Sequence, residues 1–202
     1  LFYDDYDGYR IGYNVWESTE YSPQFFNQLL KLDELWVPTE WQKEISINQG
    51  YPENKIFVIP EGVDGNIFKP PSRPKKKNKF QFTIVGRWDY RKGVKESIEG
   101  FLKAFPNNQD VELLLNVENP YPVDGMNSTE ERLKYYGLED DRIKILKFLN
   151  RKEYIQLLQN SNALISCARS EGWNLPLIEA LACGTPSIYT KCSGQLEFTK
   201  GK

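Results

Sequence analysis

A chain of 202 residues has room for one large or two modest domains and enough length to bury a core. Hydrophobic residues at 40% and charged residues at 27% exclude the disordered and fibrous classes. A net charge of -2 argues against nucleic acid as the main partner, because phosphate backbones are bound through a basic surplus.

In chain order, the alternation of Tyr9 to Trp16 (YRIGYNVW) predicts a strand, and Pro23 precedes a helix over Gln24 to Lys31. Glu34 to Val37 is a short apolar strand. Thr39 is a good N-cap for a helix over Glu40 to Asn48, which Gly50 ends. Lys55 to Ile59 (KIFVI) reads as a buried strand leading into Pro60-Glu61-Gly62-Val63-Asp64. Strand-helix alternation of this kind marks a parallel α/β layer over residues 1–68. Lys69 to Lys79 (KPPSRPKKKNK) then combines prolines and cations with nothing apolar to bury. It predicts a solvated linker and a domain boundary, since its prolines prevent the amphipathic helix that a membrane contact would need.

A second alternation fills residues 80–202. Phe80 to Val85 predicts a strand, and Gly93 to Phe105 a helix with Val94, Ile98, Phe101, Leu102 and Phe105 on one face. Val111 to Val117 is a strand, Asn119 to Asn127 a loop, and Ser128 to Tyr136 a helix whose Ser128 and Glu131 match a capping box. Ile143 to Leu146 is a strand, Lys152 to Gln159 a helix, and Ala163 to Cys167 a strand. A polar loop follows, then a short helix that Pro176 opens and Gly184 closes, then a last strand. The pattern is that of a doubly wound, Rossmann-like half, which binds ligands at the carboxyl ends of its strands.

Two such ends carry chemistry. The loop Gly86-Arg87-Trp88-Asp89-Tyr90-Arg91-Lys92-Gly93 places cations before a helix N-terminus, where they oppose the helix dipole. Gly86 permits a sharp turn, and Arg87 and Lys92 suit a diphosphate held between this loop and the helix start at 175. The plainer alternative is a set of exposed surface cations. In the second loop Glu171 stands within Ser-Glu-Gly, and Glu179 one turn inside the helix. Paired carboxylates beside unpaired helix amides suit an anion that carries hydroxyls, as a sugar nucleotide does. The plainer alternatives are a helix-surface carboxylate for Glu179 and a loop carboxylate for Glu171. The chain has no histidine, so Ser-His-Asp and Cys-His hydrolysis and a histidine-completed zinc site are excluded. Cys167, Cys183 and Cys192 read as reduced, structural thiols. No apolar run approaches the ~20 residues of a membrane span, and the N-terminus lacks the regions of a secretory signal, so a cytoplasmic protein is expected.

Gly-Arg-x-x-x-x-Lys-Gly at 86 to 93, Ser-Glu-Gly-x-x-x-x-x-x-Glu-Ala at 170 to 180 and Gly-x-Pro at 184 to 186 together resemble the retaining glycosyltransferases of family 4. Val15-Trp16-Glu17, Pro23, the run Asp33 to Trp41 and Gly62-Val63-Asp64 look like earlier segments of that family, so the likeness covers Tyr9 to Phe198. It implies an α/β, GT-B-like fold with a Rossmann-like donor-binding half and a partial N-terminal, acceptor-side half. By position, Arg87 and Lys92 match the pair that holds the donor diphosphate. Glu171 matches the glutamate beside the sugar, and Glu179 the one that accepts from ribose hydroxyls. Gly172, Trp173, Asn174 and Leu175 match the loop that meets sugar and phosphate, while Leu149 and Asn150 lie where the base is contacted.

The implied reaction moves a sugar, with retention, from a UDP- or GDP-sugar to a hydroxyl on a glycan, lipid or other acceptor, with no metal and no further cofactor. The chain starts without Met and ends before the family's last helices, so truncation at both ends is expected, along with loss of the histidine that family members often carry nearer the N-terminus. Sheet edges left exposed would favour pairing of two copies. Two other readings are a non-catalytic nucleotide- or glycan-binding module and a sugar-nucleotide epimerase on the same fold.

Overall fold

The computed structural model describes residues 7–73 and 77–199. Contacts divide the chain into two compact units. The first holds the chain up to Gly62 together with Ser170–Asn174 and the segment from Lys191 on; the second holds Val63–Arg169 and Leu175–Thr190. The division falls between Gly62 and Val63, ahead of the expected linker at 69–79, of which residues 74–76 lie outside the described residues. Local packing explains the difference. The Lys69 carbonyl accepts from Gln159 Nε2 at 2.8 Å, and a Cβ on Gly184 would stand 3.2 Å from Pro70 Cγ, so this start of the segment is part of the second unit.

In the first unit, strands β1 (Ile11–Tyr13), β2 (Glu34–Val37) and β3 (Ile56–Val58) form a parallel sheet in the order β1-β2-β3. Helix α1 (Pro23–Leu29) begins at Pro23 itself, where the missing N–H costs nothing. Helix α2 (Glu40–Asn48) is capped as expected, Thr39 Oγ1 accepting from Gln42 N at 3.1 Å. The strand expected over Tyr9 to Trp16 is shorter, because among the described residues its ladder runs from Ile11 opposite Glu34 to Tyr13 opposite Trp36. Leu35, Val37 and Ile56 are buried with Phe26 and Leu29 of α1. On the other face Ile11, Tyr13, Phe57 and Ile59 are exposed, although parallel sheets commonly cover both faces.

In the second unit, β4 (Phe80–Val85), β5 (Val111–Asn116), β6 (Ile143–Ile145), β7 (Ala163–Ser166) and β8 (Ser187–Tyr189) are all parallel, in the order β6-β5-β4-β7-β8. Helix α3 (Val94–Ala104) buries Val94, Ile98 and Phe101 on the core of Ile84, Leu113, Leu115 and Ile165, which is the face its spacing predicts. Helix α4 (Thr129–Tyr135) carries half of the expected capping box. Ser128 Oγ accepts from Glu131 N at 3.1 Å, but Glu131 Oε2 accepts from Asn127 N at 2.8 Å rather than from Ser128. The complete reciprocal box belongs to Asn150 and Glu153, which open α5 (Arg151–Asn160). Helix α6 (Leu175–Ala182) follows β7 in sequence. Among the described residues, no helix is long and apolar enough to cross a membrane.

Strand order fixes where a ligand can enter this unit. The chain runs outward from β4 through β5 to β6, then returns to β7 and continues to β8. Connections leave β4 and β7 in opposite directions, so a crevice opens at the carboxyl ends of these two strands.

Candidate functional site

The loop Gly86–Gly93 leaves β4 at that crevice. Gly86 takes φ 128, and a Cβ there would meet the Lys92 stem at 3.5 Å, so the lysine side chain lies back along its own loop. Asp89 Oδ1 accepts from Lys92 N at 2.8 Å and tightens the turn, while the side chain of Arg87 is exposed. Trp88 turns the other way. It is 2% exposed, belongs to the core and stacks on Tyr136 with ring centroids 6.4 Å apart, so its indole is not in the crevice.

The end of β7 grips the same loop. Gly93 has φ 61, and a Cβ on it would come within 2.4 Å of the Cys167 carbonyl oxygen, an approach only glycine permits. Arg169 N donates to the Arg91 carbonyl at 2.8 Å. Its guanidinium lies 3.8 Å from the Tyr90 ring centroid, donates from Nη1 to the Tyr90 carbonyl, and donates from Nη2 to Glu96 Oε1 at 2.8 Å. The pair with Arg169 lowers the Glu96 carboxyl below its ordinary value. Nothing local in sequence marks Arg169 as part of this loop, because its partners are remote in the chain.

Glu179, on α6, is partly buried and accepts from the Tyr154 hydroxyl of α5 at 2.5 Å. Burial raises its carboxyl above the ordinary value, with the Tyr154 hydrogen bond and the Arg151 charge pulling the other way. Burial, then the Glu179 carboxylate, raise the Tyr154 hydroxyl. Leu175 opens α6 and is exposed, while Leu149 is partly buried after β6. Asn150 Oδ1 accepts from Glu153 N at 3.0 Å in the α5 cap. Beside Leu149 a cavity of about 360 Å³ is lined by Glu118, Thr129, Ile145, Leu146, Lys147 and Phe148. The Thr129 hydroxyl is buried without a partner among the described residues, and Phe148 is 86% exposed.

Glu171, Gly172, Trp173 and Asn174 fall in the first unit. Glu171 is 3% exposed; its N–H donates to Ser193 Oγ at 2.9 Å and its carbonyl accepts from Gly194 N at 2.9 Å. Gly172 lies so close to Trp16 that a Cβ would reach its carbonyl at 2.9 Å. Asn174 holds φ 79, a costly conformation for a residue with a side chain, and donates from Nδ2 to Gln195 Oε1 at 2.6 Å. The Trp173 indole is buried with its ring centroid 5.0 Å from that of Phe198, in the first unit's own packing.

A doubly wound parallel sheet, with a cationic loop at the reversal of strand order and a carboxylate on the helix after β7, defines a Rossmann-like domain. Residues 66–201 match the family Glycosyl transferases group 1, and the chain belongs to that family. It is 30% identical over 155 residues to a probable sucrose-phosphate synthase of Thermosipho melanesiensis, covering 73% of this chain and 36% of that protein. Anabaena HepE, solved in complex with UDP and glucose, superposes with a TM-score of 0.73 at 17% identity, covering 93% of this chain and 54% of HepE. A glycosyltransferase of Rickettsia africae superposes with a TM-score of 0.74 at 20% identity, covering 95% and 54%. These likenesses establish the GT-B fold class. The chain spans roughly a third to a half of the length of the relatives it matches.

Proposed function

We propose that this chain supplies the donor side of a retaining glycosyltransferase, which moves a sugar from a nucleoside diphosphate to an acceptor hydroxyl. The observation that carries this reading is the cationic loop Gly86–Gly93 at the reversal of strand order between β4 and β7. Arg87 and Lys92 would bind the diphosphate and stabilise the charge that builds on it as the sugar departs. Glu179 would accept from the ribose hydroxyls, and the cavity beside Leu149 would take the base. Glu171, with the backbone of Gly172 to Leu175, would face the sugar.

In the step itself, the acceptor oxygen bonds to the anomeric carbon on the face the diphosphate leaves. The carbon–oxygen bond to the diphosphate breaks with its electron pair going to the leaving group, and a departing phosphate oxygen takes the acceptor proton. No imidazole from this chain takes part, since it has no histidine. Neither a metal nor a cofactor is needed in this scheme, because fixed cations do the electrostatic work.

Calorimetric titration with UDP, GDP and ADP tests the reading. Arg87→Ala and Lys92→Ala should each weaken the preferred nucleotide about tenfold or more, as expected for loss of a charge-assisted bond of ~1.5–3 kcal/mol. Unchanged affinity in both folded variants would overturn it.

A further inference from the structure

Of the interactions around Glu179, one is not explained by packing alone. Tyr154 donates to Glu179 Oε2 at 2.5 Å, within the range of about 2.5–2.7 Å for a hydroxyl on an ionised carboxylate. The tyrosine is itself held in place: its ring meets Phe68 edge-on with centroids 6.3 Å apart, and the Arg151 guanidinium lies 5.5 Å from the Phe68 centroid. Glu179 Oε1 has no protein hydrogen-bond partner among the described residues, and the side chain stays partly open to solvent. One oxygen is thus fixed by the protein and the other left available. Such an arrangement suits a carboxylate that must meet a diol in a single orientation, because the rotamer is chosen before the ligand arrives.

We propose that Tyr154 is a positioning residue for ribose recognition: by donating its hydroxyl to Glu179 Oε2, it holds the carboxylate so that Oε1 meets the ligand's 2′- and 3′-hydroxyls. The inference rests on the role proposed above for Glu179, and it adds a determinant that never touches the ligand. It concerns ribose alone and leaves the diphosphate contacts to Arg87 and Lys92.

The readout is the ratio of affinities for a ribonucleoside diphosphate and its 2′-deoxy counterpart, measured by calorimetry with UDP, GDP and ADP on the full chain. Wild-type protein should prefer the ribose form about tenfold or more. Glu179→Gln should abolish most of that preference. Tyr154→Phe, which removes one oxygen atom, should cut it at least threefold while leaving affinity for inorganic pyrophosphate unchanged. If Tyr154→Phe does not fold, Tyr154→Met takes its place with the same expectation, its flexible side chain filling the space without a donor. A wild-type preference in the Tyr154 variant together with its loss in Glu179→Gln overturns the role of Tyr154 and leaves that of Glu179 standing. A preference that survives Glu179→Gln overturns both. Equal losses for pyrophosphate and nucleotide in the Tyr154 variant show collapse of the site and also overturn the positioning role.

Discussion

Arg169 Nη2 donates to Glu96 Oε1 at 2.8 Å, joining the end of β7 to the helix that follows the cationic loop. Both side chains are more than a third exposed, so the pair and the ring contact with Tyr90 together contribute only about 1 kcal/mol. Their effect is local. Arg169→Ala should speed amide exchange at Arg91 to Gly93 several-fold with little change in the global unfolding midpoint. Arg169→Lys, which lacks the planar fork, should recover less than half of the protection. Unchanged exchange in both variants would assign the loop's order to Gly93 and Cys167 alone.

Gly93→Ala is expected to destabilise the second unit by roughly 2–4 kcal/mol. That figure combines ~1–2 for a side chain in the left-handed region with ~1–2 for overpacking, within the usual range of about 1–3. The clash is with the backbone oxygen of Cys167, which cannot swing aside. Urea unfolding gives the measurement; a loss below ~1 kcal/mol would mean the two strand ends separate freely.

Asp140 and Arg142 make stability depend on acidity. Arg142 is 3% exposed and forms a bidentate pair with Asp140, Nε to Oδ1 and Nη2 to Oδ2 both at 2.8 Å. The guanidinium holds the Asp140 carboxyl below its ordinary 3.8. A depressed carboxyl contributes its stabilisation above the unfolded value and loses it as pH falls through the folded one. Asp140→Asn should therefore cost about 1–2 kcal/mol between about pH 5 and 8, the partial exposure of Asp140 screening it. Below about pH 4 the gap between wild type and variant should shrink, as denaturant titrations across pH would show. A gap that stays constant to pH 2 would exclude the ionised pair as its source.

If Arg87 and Lys92 bind the diphosphate, affinity must fall with ionic strength, because Arg87 is exposed. Raising salt from about 50 to 500 mM should weaken nucleotide binding roughly three- to tenfold in wild type. Arg87→Ala should flatten that dependence. Equal slopes in both would place the exposed charge away from the ligand.

Much of the fold is legible in local pattern. Glu34–Val37, Glu40–Asn48 and Phe80–Val85 occupy the residues their hydrophobicity and caps predict, since each signal lies within the element it describes. Strand ends are less legible, because a strand stops where its neighbour does, as β1 does opposite Trp36. Side-chain direction is less legible still. Trp88 stands in a loop rich in charge, yet its indole is in the core, since a loop residue beside a strand end can bury as well as expose its ring. Tyr154 with Glu179, and Arg169 with Glu96, are contacts between helices and strands far apart in the chain. No spacing rule reaches them.

The first unit draws on both ends of the chain, since Ser170–Asn174 and the segment from Lys191 on pack with residues before Gly62. During synthesis its sheet emerges before the second unit, but Gly172 meets Trp16, and Gly194 meets Gly172, only after residues 63–169 have been made. The first unit is therefore completed only once most of the second unit has been made. Its apolar surface must wait while the second unit forms, and that interval is where a chaperone would have most to do.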